Sequence, residues 1–252
     1  MLGIPDQTRA CLFDLDGVLT RTAEVHAQAW KEMFDDFLRQ RAELAGAGAS
    51  IAAFAAFDPV ADYDRYVDGK PRADGTRSFL LARGIELPEG SEDDKPGEPT
   101  VHGLGNLKNQ IVLRTIAEGG VEAYEGSVRY VRAVREAGLA RGVVSSSANA
   151  AEVLAAAGIS DLFDVVIDGV VAGREHLHGK PAPDTYLAGA RALSVTPAEA
   201  CVFEDALAGV AAGRAGGFGW VVGVDRAGQA DALRENGADV VVDDLAELLG
   251  TP

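Results

Sequence analysis

The sequence predicts an α/β fold in which a parallel sheet is covered by helices on both faces. From about residue 124 onward, short Val-rich runs alternate with segments of helical periodicity, the pattern of right-handed βαβ units. The apolar run Ala10-Cys11-Leu12-Phe13 has the length of a buried strand and would join the same sheet. Residues 22–119 show helical spacing and no convincing strand pattern, so we expect an all-helical insertion after the first strand.

The insertion is predicted to contain several helices. The first spans residues 22–39, where apolar side chains recur at helical spacing. Further helices are expected at 52–57, 76–83 and 106–118. An acidic stretch rich in Pro and Gly, residues 88–97, is predicted as a loop, and its degree of order is left open.

Beyond the insertion the alternation predicts the rest of the sheet. We expect strands at 141–145, 165–167, 201–203, 220–224 and 240–242, and helices at 126–137, 148–157, 185–193 and 208–212, with a further helix before the last strand. Together they form a Rossmann-like core of residues 1–21 and 120–252, and residues 22–119 form a helical cap on it.

Composition limits the partners. The formal net charge of −16 over 252 residues argues against nucleic acid and against an anionic membrane surface. No apolar window suits a membrane span and no segment resembles a signal peptide, so we expect a cytoplasmic protein, acting as a monomer on a small molecule. Cys11 and Cys201 are predicted to be buried, reduced thiols that lie level on adjacent parallel strands.

The most informative motif is Asp14-Leu15-Asp16-Gly17-Val18, directly after the first strand. Two carboxylates so close together repel each other, and a divalent cation with a phosphoryl group would explain them. A calcium loop of the EF-hand type is excluded, because Val18 and Leu19 stand where further ligands should be. A plain turn after a strand remains the alternative for this motif taken alone.

Other strand ends supply matching chemistry. In an open α/β sheet, ligands gather at the carboxyl ends of the strands. There the sequence places Ser145, Lys180 and the pair Glu204-Asp205. Each has a simpler explanation when taken alone: Ser145 could cap a helix, Lys180 could be a solvated loop residue, and Glu204-Asp205 could be a favourably charged helix start. Their occurrence together favours a phosphoryl-transfer site.

These motifs resemble those of the haloacid dehalogenase (HAD) superfamily. Asp14-Leu-Asp-Gly-Val-Leu-Thr20 matches the first signature of that superfamily, Ser145 the second, Lys180-Pro-Ala-Pro-Asp184 the third and Glu204-Asp205 the fourth. The segment Thr22-Ala-Glu-Val-His26-Ala-Gln-Ala-Trp30 is similar to the beta-phosphoglucomutase-like subfamily, which is close to sugar-phosphate phosphatases. The resemblance covers nearly the whole chain and implies the HAD core with its cap.

The resemblance implies a role for each core residue. Asp14 would attack phosphorus and form an aspartyl-phosphate, and Asp16 would act as general acid and base. Ser145 and Lys180 would hold phosphoryl oxygens. The implied cofactor is Mg2+, bound by Asp14, Asp16 through its backbone carbonyl, Asp205, and Glu204 through water.

The resemblance also implies substrate-binding residues, which are Thr22, His26, Trp30, Gly69, Arg72, Lys108, Ser146 and Asn149. Arg72 would grip a distal phosphate, and Thr22 would mark the hinge of the cap. For His26 and Trp30, a purely structural place in the core is the alternative. Two departures stand out: Asp68 occupies a position where such mutases usually have lysine, and Arg21 one where they commonly have an acid.

Two activities follow as expectations. The first is beta-phosphoglucomutase chemistry, from beta-glucose 1-phosphate to glucose 6-phosphate through the 1,6-bisphosphate. The second is a sugar-phosphate phosphatase, for example on trehalose 6-phosphate or a hexose phosphate, favoured by the missing lysine at position 68 and the acidic cap loop. A sugar-phosphate-binding protein without turnover and a dehalogenase fit the complete set of acids less well.

Overall fold

The computed structural model describes residues 1–45 and 54–250. The chain divides into two compact units, one of Met1–Thr22 with Val121–Pro252 and one of Ala23–Gly120. We call them the sheet unit and the helical unit. Among the helices of the described ranges, none combines the length and the apolar character that a membrane crossing requires.

The sheet unit contains a six-stranded parallel sheet in the order β3-β2-β1-β4-β5-β6. Its strands are β1 (Ala10–Phe13), β2 (Ala140–Val144), β3 (Val165–Ile167), β4 (Ala200–Glu204), β5 (Trp220–Val224) and β6 (Val240–Val242). All the predicted strands are confirmed, with small shifts at the ends of some. β1 lies in the middle of the sheet and is fully buried, which explains its continuous apolar run.

The pairing of β1 with β4 fixes the geometry of the site. Cys11 lies opposite Cys201 and Phe13 opposite Phe203, and both cysteines are buried free thiols, as predicted. The Phe13 and Phe203 rings stack with centroids 4.5 Å apart. Because the two strands are parallel and in register, the residues that follow them emerge side by side.

The helical unit contains α1 (Ala23–Ala45), α2 (Arg72–Ala82) and α3 (Val101–Gly119), with a short π-helix at Tyr63–Val67 that the sequence did not predict. Stacked and edge-on aromatic rings form its core, from Trp30, Phe34, Phe57 and Phe79. The predicted helix at 52–57 lies partly outside the described residues, and its described end, residues 55–57, is not helical. That prediction is therefore wrong for these three residues.

The acidic loop that precedes α3 is held in place by hydrogen bonds. The Asn106 side chain donates to the carbonyls of Glu92 (3.0 Å) and Asp94 (2.8 Å), and the Thr100 hydroxyl donates to the Asp94 carboxylate (2.5 Å). Thr100 also caps α3 by accepting from the amide of Gly103. The acidic loop is thus tied to α3 by the side chains of Thr100 and Asn106.

The described part of the sheet unit also contains six α-helices: α4 (Glu125–Glu136), α5 (Ala150–Ala156), α6 (Gly169–Glu175), α7 (Asp184–Ala192), α8 (Leu207–Ala215) and α9 (Ala230–Glu235). Short 3-10 helices lie at Ser160–Leu162, Pro197–Glu199 and Leu245–Leu248. α6 was not predicted. It begins at Asp168, whose carboxylate accepts from the amide of Val171 at 2.9 Å. The strands and the other helices of this unit agree with the prediction of an α/β fold.

Candidate active site

Three carboxylates meet at the carboxyl ends of β1 and β4. Asp14 follows β1, and its amide donates to the carbonyl of Phe203 at 2.9 Å. Glu204 ends β4 and Asp205 follows it. One oxygen of each side chain lies within 4.8 Å of the others, and all three residues are buried. The register of β1 and β4 therefore brings the three carboxylates together at one edge of the sheet.

Lys180 supplies the positive charge next to these acids. Its ammonium donates to Asp14 Oδ1 (2.5 Å), to Glu204 Oε1 (2.6 Å) and to the carbonyl of Val144 (3.1 Å). The side chain is 1% exposed, so the alternative of a solvated loop lysine is wrong. The residue precedes a cis peptide bond to Pro181, in the loop before α7.

Burial and the charge of the partner shift the pKa values of Asp14 and Lys180 in opposite directions. Burial raises the pKa of Asp14 well above its usual range, Lys180 opposes this rise, and Glu204 and Asp16 add to it. For Lys180, burial alone would lower the pKa, but the Asp14 and Glu204 carboxylates outweigh it and raise the pKa above its ordinary value. The Lys180 ammonium therefore stays charged, and the burial of the Asp14 carboxylate favours further positive charge beside it.

Glu204 is held by a contact that the sequence did not suggest. The hydroxyl of Tyr186, on α7, donates to Glu204 Oε1 at 3.0 Å, and the amide of Ala206 donates to Oε2 at 3.0 Å. A Cβ atom at Gly209 would lie 1.7 Å from Glu204 Oε1, so the glycine leaves room for the carboxylate. Only a prediction of how α7 and α8 pack on the sheet could have found Tyr186 and Gly209.

The cluster suits a divalent cation. Asp14, Glu204 and Asp205 bring three carboxylates against one lysine, and oxygen ligands are those that Mg2+ prefers. Gly17 has a φ of +90°, and a Cβ atom there would lie 1.7 Å from Asp205 Oδ2. The absence of a side chain thus lets the Asp205 carboxylate approach the Asp14–Gly17 turn closely. Both oxygens of Glu204 accept hydrogen bonds, Oε1 from Lys180 and Tyr186 and Oε2 from the amide of Ala206.

Asp16 is oriented by a hydroxyl chain. The Thr22 hydroxyl donates to Asp16 Oδ1, and Thr20 and Thr22 share a hydrogen bond of 2.7 Å. Thr22 is 2% exposed. Within the sheet unit, the predicted hinge residue therefore also fixes the side chain of the predicted acid–base group.

The loop after β2 carries Ser145, Ser146 and Asn149. The Ser145 hydroxyl accepts from the amide of Ser147 at 3.0 Å, and the residue is 2% exposed. Ser145 therefore caps a turn of its own loop, while α5 starts after Asn149. A hydroxyl that accepts one hydrogen bond can still donate another, so this arrangement leaves Ser145 able to bind an anion.

In the helical unit, His26, Trp30 and Lys108 form one buried cluster. The Lys108 ammonium donates to His26 Nδ1 at 2.7 Å and lies 4.9 Å from the centre of the Trp30 ring. Because an ammonium only donates, Nδ1 of His26 must be the acceptor, which leaves the ring proton on Nε2. Trp30 stacks on Phe34 with centroids 5.2 Å apart, so its structural role in the core is real.

Arg72 is the first residue of α2 and is half-buried. Within residues 1–45 and 54–250 its guanidinium makes no ion pair, and burial lowers its pKa, with Glu92 opposing this. Gly69 precedes it with a φ of +67°. Lys70, the lysine nearest to position 68, donates to the carbonyl of Tyr66 (3.0 Å) and to Ser78 Oγ (3.2 Å).

Comparison with known proteins agrees with this geometry. A family model described as haloacid dehalogenase-like hydrolase matches residues 8–217. A beta-phosphoglucomutase of Mycobacterium bovis is 55% identical over 99% of this chain and 94% of its own length. A trehalose-phosphate phosphatase of Mycobacterium leprae is 35% identical over 50% of this chain, but over only 28% of its own length.

Solved structures show the same fold. The crystal structure of beta-phosphoglucomutase from Clostridium difficile matches with a TM-score of 0.70 at 26% identity, over 96% of this chain and 93% of that one. The family model covers most of the chain, and the mycobacterial protein is similar from end to end. The chain therefore belongs to the haloacid dehalogenase-like hydrolases and, within them, to the beta-phosphoglucomutase-like subfamily.

Proposed function

We propose that this enzyme is a Mg2+-dependent beta-phosphoglucomutase that converts beta-glucose 1-phosphate to glucose 6-phosphate through the 1,6-bisphosphate. The observation that carries the phosphoryl-transfer chemistry is the buried contact of Asp14 with Lys180, next to Glu204 and Asp205. The choice of a mutase is supported by the 55% identity with the Mycobacterium bovis enzyme over nearly the whole of both chains.

In this mechanism Asp14 Oδ attacks phosphorus and the bond from phosphorus to the sugar oxygen breaks, which leaves an aspartyl-phosphate. Lys180 and Ser145 hold the equatorial phosphoryl oxygens, since phosphoryl transfer depends chiefly on positioning and on charge stabilisation. To hold a phosphoryl oxygen, the Lys180 ammonium must share with it the N–H donors that bind Asp14 and Glu204 in this structure.

Asp16 gives its proton to the departing sugar oxygen and later takes one from the attacking hydroxyl. Its orientation by Thr22 suits this role, because the hydroxyl fixes one carboxylate oxygen and with it the direction of the side chain. The two carboxylates of the first motif thus divide nucleophilic and acid–base work.

Asp14, Asp205 and the backbone carbonyl of Asp16 would hold Mg2+, with Glu204 behind them. Bound there, the ion would supply positive charge beside Asp14 and the phosphoryl oxygens. Such a charge fits this place, because burial raises the pKa of Asp14.

We propose that the helical unit acts as the cap and carries the distal phosphate site. A half-buried guanidinium without an ion-pair partner in the described chain suits a phosphate, and Arg72 meets that description. His26, Trp30, Gly69 and Lys108 belong to the same proposed cap side of the substrate, and Thr22, Ser146 and Asn149 to the core side.

A sugar-phosphate phosphatase remains the second candidate. It is supported by Asp68 in place of the expected lysine, by the use of Lys70 within the helical unit, and by the partial similarity to trehalose-phosphate phosphatase. The coverage of that relative is short, so this candidate is the weaker one.

One assay separates the two. The enzyme, Mg2+, beta-glucose 1-phosphate and a trace of the 1,6-bisphosphate should yield glucose 6-phosphate, followed through NADPH in a coupled dehydrogenase reaction. Release of inorganic phosphate without isomerisation would favour the phosphatase. Arg72→Met should reduce isomerisation more than phosphate release, and Asp14→Asn should abolish both.

A further inference from the structure

The loop that follows β5 is built around a single carboxylate. Asp225 Oδ1 accepts from the amides of Ala227 (3.2 Å) and Gln229 (2.9 Å), and Oδ2 accepts from the amide of Ala230 (3.1 Å). Three backbone donors on one side chain hold residues 225–230 in one shape. The backbone that carries the long side chains of Arg226 and Gln229 is therefore fixed.

Arg226 reaches from this loop to the turn that follows Asp16. Its Nε donates to the carbonyl of Gly17 at 2.8 Å, and Nη1 donates to the carbonyl of Asp243 at 2.6 Å. The guanidinium carbon lies 3.7 Å from the centre of the Tyr124 ring. A planar group with two directed hydrogen bonds and a stacked face has little freedom, so it can hold the Gly17 carbonyl in position.

Gln229 makes the equivalent contact with the other acidic loop. Its Nε2 donates to the backbone carbonyl of Asp205 at 3.2 Å. One loop thus donates to a backbone carbonyl beside each of the two strand ends that supply the carboxylates. Neither side chain contacts the carboxylates themselves through these hydrogen bonds.

The positions of the Gly17 and Asp205 carbonyls affect the spacing of the acids, because the Asp14–Gly17 turn and the loop that begins at Asp205 are in close contact. The Asp205 carboxylate lies where a side chain of Gly17 would be, and the Gly17 amide donates to the carbonyl of Thr20 at 2.8 Å. With Arg226 on its carbonyl, Gly17 is fixed on both of its backbone polar groups. The Gly17 amide and the Asp16 carbonyl belong to the same peptide group. A rotation of that group would move the Asp16 carbonyl relative to Asp205.

We propose that Arg226 and Gln229 form a clamp that sets the spacing between the Asp14–Gly17 turn and Asp205, and thereby the affinity for Mg2+. This inference rests on the proposed function, which assigns the metal to these acids. Both are positioning residues, acting through backbone carbonyls. Groups that hydrogen-bond metal ligands directly contribute about 10- to 100-fold to metal affinity in other proteins, which sets the scale for these contacts with neighbouring backbone carbonyls.

The test measures Mg2+ binding to the complete protein by isothermal titration calorimetry. Arg226→Met keeps an apolar stem against Tyr124 but removes both donors, and we expect its Mg2+ affinity to fall about 10- to 100-fold. Arg226→Lys should recover part of this, because an ammonium can still donate to Gly17. Gln229→Leu should weaken binding in the same direction and serves if Arg226→Met does not fold. Arg234→Met, which breaks only an exposed ion pair with Asp231, is the matched control.

A second readout separates positioning from loss of stability. If the clamp acts on metal affinity, high Mg2+ should restore most of kcat in Arg226→Met, and the Mg2+ concentration for half-maximal rate should rise with the calorimetric Kd. Unchanged Mg2+ affinity in folded Arg226→Met and Gln229→Leu, whatever their melting temperatures, would overturn the inference. Absence of Mg2+ binding in the wild type would instead contradict the proposed function.

Discussion

At the scale of single residues, Lys180 is one ammonium beside three carboxyl groups. Its ammonium contacts Asp14 and Glu204 directly, and Asp205 completes the cluster. Buried ion pairs of this kind contribute little net stability, but removing one partner leaves the others uncompensated. The lysine is thus a structural requirement of the site as well as a proposed phosphate ligand.

Lys180→Met should destabilise the metal-free protein by about 3–5 kcal/mol at neutral pH. Without the ammonium, the folded-state pKa of Asp14 rises further above its unfolded value. Protonation then favours the folded state, so the variant should regain stability as the pH falls from 8 to 5. Urea unfolding in EDTA measures this. Lys95→Met, at an exposed loop position, is the control and should stay close to wild type. Equal losses at both pH values would contradict the charge argument.

Thr22 controls the orientation of Asp16. Thr22→Val removes the hydroxyl that donates to Asp16 Oδ1, while Thr22→Ser keeps it. A hydrogen bond to a charged group is worth about 1.5–3 kcal/mol, so kcat for sugar phosphates should fall about 10- to 100-fold in Thr22→Val and little in Thr22→Ser.

The leaving group gives an internal check of this prediction. With p-nitrophenyl phosphate the departing oxygen needs no proton, so Thr22→Val should slow the first step, the burst of p-nitrophenol in stopped flow, much less than it slows transfer from a sugar phosphate. An equal loss on both substrates would mean that Thr22 supports the fold of the loop rather than the acid–base function of Asp16.

At the scale of elements, replacing a helical glycine by alanine should have opposite effects on stability at two positions. Gly209 on α8 lies against Glu204, whereas a Cβ atom at Gly173 on α6 would have no other atom within 4 Å. Gly173→Ala should therefore stabilise the protein by up to about 1 kcal/mol, the usual gain of alanine in a helix. Gly209→Ala should destabilise it by about 1–3 kcal/mol or more, as overpacking does.

Thermal unfolding of both variants in EDTA measures these effects, and activity adds a second readout. Gly209→Ala must displace the Glu204 carboxylate and with it the partner of Lys180. We therefore expect a loss of kcat in Gly209→Ala only. A stable and fully active Gly209→Ala would show that Glu204 can move without consequence.

Elements also show why some features could be predicted and others not. β1 and its acids are local signals: a four-residue apolar run followed by Asp14, with the glycine that the turn requires. The start of α2 at Arg72 was missed because Asp68-Gly69-Lys70-Pro71 indicates a turn, although proline is also common at helix starts. Likewise the sequence analysis predicts no helix directly after β3, whereas the Asp168 carboxylate caps α6 there.

The candidate site divides in the same way. Asp14 and Glu204 could be predicted because each lies at a strand end, and Lys180 because its loop carries the third signature of the family resemblance. Tyr186, Arg226 and Gln229 could not, because their contacts depend on how a helix or loop packs against the sheet. No short motif encodes such contacts.

At the scale of the whole molecule, the metal should determine how stability depends on pH. The pKa of Asp14 is raised by burial, with Glu204 and Asp16 adding to the rise, so this carboxyl keeps its proton to a higher pH in the metal-free folded state than in the unfolded state. The contribution of Asp14 to metal-free stability should therefore fall as the pH rises toward its folded-state pKa. Mg2+ competes with that proton, so its stabilising effect should grow with pH, reaching about 2.7 kcal/mol at 100 times Kd.

Melting temperatures in EDTA and in Mg2+ between pH 5 and 8 measure this dependence. Asp14→Asn cannot ionise at this position, so its EDTA profile should be flatter than that of the wild type and Mg2+ should stabilise it less. Asp231→Asn removes one exposed charge of the same sign, with a side chain 97% exposed, and should keep the wild-type profile. If Mg2+ stabilised Asp14→Asn as much as the wild type, the ion would bind elsewhere and the acids at the ends of β1 and β4 would need another explanation.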